Sequence, residues 1–387
     1  MKISISKEIL LLSLAFLFSF AGYSGVQQYV TTFFVHIGLP QVGFQSLILV
    51  YLFFVLSNPL SALVVSRYGA KRSMAVAILF CALFILALLS KSIVIIYIAS
   101  TILGIAASFL WTGQNSYLVR AATGDDFGIS AGFFSMLFSF GSTVGVIALG
   151  FLINKISYES SFFLAALLPL IGLLFIFPLK DLRSEKSENR LRLLRQAVMS
   201  KTMWRLSTIW FSVYFVFGLI IGIIPLEIKN TLGVSYVGSL SSLFYIMPAL
   251  LSYGLGKLSD ARGRKTLLLV AFLISLLGLV ALYFSHNILL LIVGLILVAL
   301  YYSIVCPMTL ALVGDVSTKK NLEYLTSFFW MVQNVGVVSA LLLSAFIQTK
   351  IIYLISIATL SLCLLIVFPL LKAGFQQVKQ RIALEIG

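Results

Sequence analysis

Charge is scarce in this sequence. Asp, Glu, Lys and Arg together make up 10% of its 387 residues, against about 25% in a typical soluble domain. Apolar residues reach 61%, more than a water-soluble core could hide. The three cysteines, Cys81, Cys306 and Cys363, lie singly inside apolar runs, and there are only two histidines. That argues against a disulfide framework and a zinc site, so no metal and no cofactor is expected. There is no HExxH, no Ser/His/Asp constellation and no GxxxxGK[ST], so neither an enzyme nor a chain that hydrolyses ATP is expected.

The apolar content needs a bilayer. Hydrophobic runs fall at about 9–35, 42–65, 73–90, 92–118, 128–153, 160–179, 205–228, 235–256, 266–285, 287–313, 322–348 and 350–371. Most are long enough to cross roughly 30 Å of hydrocarbon. The fold class read from this is an all-α polytopic membrane protein with twelve transmembrane helices.

The net charge of +15 raises the question of nucleic acid, and the loops answer it. Alternating loop assignment with the N-terminus inside puts 23 of the 27 basic residues on one side, leaving only Lys91, Lys155, Lys229 and Lys350 on the other. This is the positive-inside pattern. It predicts a multi-pass protein of the cell membrane with both termini cytoplasmic and no nucleic-acid partner. Lys2, Lys7 and the apolar stretch to Phe20 could imitate a secretory signal. The apolar run resumes beyond Gln28, however, so the segment is read as the first span.

The longest loop, Lys180 to Arg205, divides the spans six and six. The chain is accordingly divided into residues 1–180, a cytoplasmic central loop at 181–204, and residues 205–387. Leu191, Leu194 and Val198 recur at helical spacing among Arg190, Arg192 and Arg195, which allows either a solvated linker or an amphipathic helix on an anionic membrane surface.

The two halves repeat. The loop after span 2 contains Arg67, Gly69, Lys71 and Arg72. The loop after span 8 contains Gly256, Asp260, Arg262, Gly263, Arg264 and Lys265. Aligning Gly69 on Gly263 superposes spans 1–6 on 7–12, the signature of an internal duplication. On these residues the sequence resembles the major facilitator superfamily, whose G-x-x-x-D-R-x-G-R-R/K motif occupies these two loops. The second copy is well kept, with Ala261 in place of its first arginine. The first copy has Ala62 and Ser66 where the motif has glycine and aspartate. The resemblance implies two pseudo-symmetric six-helix bundles, alternating access, and a cytoplasmic gate in which Asp260 meets the start of span 5 near Phe127 to Ile129. Gly141 and Gly145 form a GxxxG pair that close helix packing accounts for. The arginine that many proton-coupled members carry four residues before a helix-4 glycine is absent, Ser100 standing there before Gly104.

No ionisable residue falls at a span centre, where it would mark a site. Glu8, Asp315, Glu323, Glu227 and Lys229 fall at span ends, His36 and His286 at outer boundaries, and Asp125 with Asp126 in a loop. The interior polar groups are neutral: Tyr23 and Gln27 in span 1; Trp111, Gln114 and Asn115 in span 4; Tyr214, Tyr245 and Tyr301 in spans 7, 8 and 10; and Trp330, Gln333 and Asn334 in span 11. Amide hydrogen bonds and aromatic stacking suit a neutral or weakly charged organic solute, although Asn and Gln also join helices to one another. The function expected is a secondary transporter, probed against two alternatives: antiport of hydrophobic drugs or metabolites, and a non-transporting sensor. A monomer is expected.

Overall fold

A computed structural model of the protein describes residues 5–122, 127–182, 190–232, 235–285 and 288–386. The first half contains α1 (Lys7–His36), α2 (Pro40–Tyr68), α3 (Ala70–Leu89), α4 (Ile93–Ala121), α5 (Phe127–Lys155) and α6 (Tyr158–Ile176). After it come α7 (Arg190–Met199), α8 (Lys201–Ile221), α9 (Ile223–Leu232), α10 (Ser235–Ser241) and α11 (Leu243–Arg262). The chain ends with α12 (Arg264–Tyr283), α13 (Ile288–Val316), α14 (Leu322–Phe346), α15 (Thr349–Ala373) and α16 (Phe375–Ile386). Twelve stretches are long and apolar enough to cross a bilayer, the number expected from the hydrophobic runs. The protein is a multi-pass membrane protein.

Local sequence sets the helix ends. Ser6, Ser157 and Ser200 stand before α1, α6 and α8, and each hydroxyl accepts the backbone N–H three residues on, satisfying a donor the helix cannot. Arg67, Arg120, Lys155, Arg262 and Lys372 occupy last turns, where they oppose the negative end of the helix dipole. Gly69 and Gly263 adopt nearly the same backbone, φ +90° with ψ 150° and φ +82° with ψ 154°. Each ends one helix and starts the next within a single residue, a reversal that an L side chain resists.

Two compact units result. One comprises Met1–Ala122 and Leu137–Lys186, the other Thr123–Met136 and Ser187–Gly387, so Phe127–Met136 of α5 groups with the second unit. In the first unit α1 packs on α6, α2 on α4, and α3 on both α4 and α6. The second repeats this scheme, with α8 on α15, α11 on α13, and α12 on both α13 and α15. The duplication seen in the loops is therefore a duplication of packing.

Three features depart from the sequence reading, the first being that the eighth hydrophobic run, read as one span over 235–256, is broken at Ser242 into α10 and α11. The seventh hydrophobic run, read as one span over 205–228, is broken at Gly222 into α8 and α9. Pro225 has no N–H to donate to Ile221, and Gly222 lies against Ser344 of α14. The C-terminal segment forms α16, which was not anticipated. Its buried Val378 and Ile382 stand one helical turn apart.

Candidate functional site

The Gly-basic turn of the second unit is the most connected polar cluster of the described residues. Asp260, in the last turn of α11, accepts the backbone N–H groups of Gly128 at 3.0 Å and Ile129 at 2.7 Å. These are free donors in the first turn of α5, where the helix dipole also favours an anion. The sequence placed the partner of Asp260 near Phe127 to Ile129, and the structure has it there. Close approach makes this possible. A Cβ on Gly256 would run into the Gly128 carbonyl and stand 3.1 Å from Gly132 Cα, while one on Gly128 would lie 2.5 Å from Asp260 Oδ1.

Arg264 completes the cluster. Its guanidinium reaches Asp315 through Nε and through NH2 (2.9 Å to Oδ1), Ser259 Oγ at 2.7 Å, and Asp260 Oδ1 at 3.1 Å. The side chain is only 6% exposed. Sequence reasoning placed Arg264 in the Gly-basic gate motif and Asp315 apart from it as an inner-end acid, and missed that the two form one ion-paired network. The available signal was the spacing of Asp260 and Arg264, which are i and i+4 across the turn. Arg262 and Lys265, by contrast, are exposed.

In the first copy Lys71 Nζ donates to the Phe177 carbonyl at 2.6 Å, and Gly69 lies beside Asp181. Arg67 stacks over the ring of its neighbour Tyr68, 5.5 Å from the centroid, and Arg72 is exposed. Glu8 closes this end of the unit by accepting from Tyr117 Oη (2.8 Å) and Lys180 N (3.1 Å).

The first unit brings the aromatic and amide candidates of spans 1 and 4 together. The Trp111 ring meets Phe16 at 5.5 Å, Phe20 at 5.2 Å and Phe138 at 5.6 Å, and Tyr23 stands edge-on to Phe20 at 5.7 Å. Gln27 Nε2 donates to Tyr51 Oη at 2.7 Å. Asn115 follows Trp111 by one turn on the same face. Both Gln114 and Asn115 are fully buried, and among the described residues nothing hydrogen-bonds either amide's nitrogen or oxygen. Two buried primary amides with all four polar atoms unpaired are costly, at about 1–3 kcal/mol for each unsatisfied group.

The second unit holds the remaining candidates. Tyr214 is 6.4 Å from Tyr302 and 6.1 Å from Trp330, ring to ring, and Phe217 stacks on Tyr302 at 5.8 Å. Tyr245, Trp330, Gln333 and Asn334 are buried, and Asn334 Nδ2 donates to the Trp330 carbonyl at 2.7 Å. Tyr301 is fully enclosed, donating to Ser212 Oγ at 2.9 Å with its ring against Phe272 at 5.9 Å. It serves the packing of α8, α12 and α13. Glu227, in α9, is held by Ser285 Oγ (2.8 Å) and by the Tyr353 hydroxyl. Glu323, expected at a span end, is 1% exposed in the first turn of α14. His286, Asp125 and Asp126 lie outside the described residues. No group of three or more His, Cys, Asp or Glu side chains among the described residues could hold a metal ion.

Comparison with known proteins agrees with this geometry. The Major Facilitator Superfamily profile matches residues 9–226 and again 206–382. The chain belongs to the major facilitator superfamily, a family of membrane transporters. Among solved structures it is similar to the proton:xylose symporter XylE bound to 6-bromo-6-deoxy-D-glucose, with TM-score 0.77 and 14% identity, covering 98% of this chain and 100% of that one. It is also similar to the human organic anion transporter MFSD10, with TM-score 0.71 and 15% identity, covering 98% of each chain. At such identities the likeness is one of fold. UNC93-like protein 3 of Arabidopsis thaliana is 31% identical over 117 residues, 30% of this chain, and the match spans 24% of the plant protein's length.

Proposed function

We propose that this member of the major facilitator superfamily is a secondary transporter of a small, uncharged or weakly charged organic solute, working by alternating access in the cell membrane as a monomer. The observation that carries the reading is the pair Gln114 and Asn115, buried with unpaired amide atoms beside the aromatic group of Trp111, Phe20 and Tyr23. A folded protein gains nothing from such groups unless something pairs with them, and a solute carrying hydroxyl or amide functions does. Stacking on Trp111 and Tyr23 would hold its apolar face. The basic loops would place both termini in the cytoplasm.

The gate in this reading is the Asp260 contact with α5. Opening and closing require that it break and re-form, and the Arg264–Asp315 pair keeps the Asp260 carboxylate aimed while it is free. Glu8, in the first turn of α1, and Glu227, within α9, are both tied into hydrogen bonds. No ionisable residue falls at a span centre, so the transport is read as uncoupled or coupled through the solute's own charge. Proton:xylose symport and organic anion transport belong to XylE and MFSD10 themselves; the neutral lining favours a sugar-like or amide-like solute over an organic anion here.

The test is uptake into proteoliposomes for a panel of neutral polyols, amino acids, organic acids and cationic drugs, with and without a pH gradient. Saturable uptake of a neutral solute at equal rates in both conditions supports the reading. Uptake confined to charged drugs and dependent on the gradient replaces it with antiport, and no uptake of any solute favours a sensor.

A further inference from the structure

The transport reading leaves one end of the second unit unused. α7 and α16 are each joined to a span by one residue: Ser200 separates α7 from α8, and Gly374 (φ +88°) separates α15 from α16. They meet there, since α16 packs on both α7 and α8. Glu385 fastens the junction. Its carboxylate accepts from the Ser200 hydroxyl, from Thr202 Oγ1 at 2.6 Å and from Thr202 N at 3.3 Å, so the end of α16 caps the start of α8.

Glu385 is the single acidic residue within 190–205 and 372–387, and it is engaged with this junction. The cations outnumber it: Arg192, Arg195, Lys201, Arg205, Lys379 and Arg381 are all exposed. Trp204 marks the depth of this surface. It lies in the first turn of a membrane span, is 47% exposed, and donates from Nε1 to the Val198 carbonyl at 2.8 Å. Val198, Met199 and Leu384 are exposed apolar side chains on the same two helices. An indole at a span end, with apolar side chains beside it and cations around it, is what a surface at headgroup level requires.

We propose that α7, the first turn of α8 and α16 form a platform that binds acidic phospholipid headgroups of the surrounding bilayer. The cations take the lipid's phosphodiester and net negative charge, and the apolar side chains enter the acyl boundary. The carboxylate of Glu385 sets the platform by holding the two helices side by side. A zwitterionic lipid offers the same apolar contact and no net charge, so charge complementarity selects the acidic one.

The purified full-length protein, in a neutral detergent, is given equal amounts of phosphatidylglycerol and phosphatidylcholine with matched chains. Protein-bound lipid is then separated by gel filtration and quantified by mass spectrometry. The expected result is retention of phosphatidylglycerol over phosphatidylcholine by about fivefold or more, the ratio that one headgroup–cation contact supplies. The ratio falls by about half or more in Arg192→Gln/Arg195→Gln/Lys379→Gln/Arg381→Gln, where Lys201 and Arg205 are the platform cations that stay. Each pair of substitutions made alone lowers it part-way, a reading independent of whether the fourfold variant folds. Lys319→Gln/Lys320→Gln, which removes exposed cations elsewhere, leaves it unchanged. Equal retention of the two lipids by the unsubstituted protein overturns the proposal, as does an equal loss in the Lys319/Lys320 variant. Displacement of bound lipid by sn-glycerol 3-phosphate also overturns it, because the site would then be one for a free phosphoester.

Discussion

Asp260 Oδ2 accepts the backbone N–H of Ile129 at 2.7 Å, across 131 positions of sequence. With the second bond from Gly128, the carboxylate caps the first turn of α5 from a different helix. A charged acceptor on two otherwise free donors is stronger than a neutral one. The crossing that permits it is made by Gly128 and Gly256, which leave no room for a side chain between them.

Asp260→Asn keeps the shape and removes the charge. Hydrogen bonds to charged groups contribute about 1.5–3 kcal/mol, and the amide can still accept. A loss of about 1–2 kcal/mol at the gate is expected, or roughly 5- to 30-fold in its closed population. The native cysteines are buried, so a cysteine introduced for Ala131, which is 0% exposed, can report it. Its alkylation should quicken in Asp260→Asn, and an unchanged rate would show that the carboxylate does not hold α5.

Arg264→Ala removes the buried cation that the half-buried Asp260 and Asp315 carboxylates share. Breaking such a network by removing one partner costs about 3–5 kcal/mol. A large drop in melting temperature is expected, with partial recovery in Arg264→Ala/Asp315→Ala. If the double variant is no more stable than the sum of its parts predicts, the two residues do not form one network.

Two glycines two positions apart in α11 should respond with opposite sign. A Cβ on Gly254 meets nothing within 4 Å, whereas one on Gly256 collides with α5. Gly254→Ala is expected to raise stability by about 0.5–1 kcal/mol through reduced backbone freedom. Gly256→Ala is expected to lower it by about 1–3 kcal/mol through overpacking. Thermal melting in detergent decides between them.

How much of this was written in the sequence differs by feature. The spans were legible because apolar runs and loop cations report the bilayer directly, and the contact of Asp260 with α5 because the turn around Gly263 resembles the superfamily's loop motif. Arg264 with Asp315 was not legible: their contact spans 51 positions, and an arginine in a short loop looks like a topology signal. The break at Gly222 was hidden because α8 and α9 are both apolar. Gln114 and Asn115 could be named as polar residues in a span, but that they lack partners is a property of packing that no spacing conveys.

Burial raises the Glu385 carboxyl, but the Ser200 and Thr202 hydrogen bonds and the Arg381 charge outweigh it and hold the group below its ordinary 4.5. A carboxyl depressed in the folded state adds stability that is fully present above its unfolded value and is lost as pH falls through the folded one. The clasp on α8 should therefore hold at neutral pH and loosen only as pH drops below about 4.5. Hydrogen exchange in α16 should rise over that window, and in Glu385→Gln it should be high already at neutral pH. A flat profile in the unsubstituted protein would mean the clasp does not depend on the carboxylate's charge.

The central claim, that the buried amides exist for a solute, is tested most directly by replacing them with Leu and measuring melting temperature and proteoliposome uptake on the same preparation. Removing an unpaired buried polar group is neutral or stabilising, whereas removing a paired one is not. Gln114→Leu and Asn115→Leu are predicted to melt at or above the temperature of the unsubstituted protein while losing at least about tenfold in uptake of the neutral solute, the equivalent of about 1.4 kcal/mol. Lower melting temperature with uptake intact would contradict the account and make Gln114 and Asn115 parts of the helix packing alone.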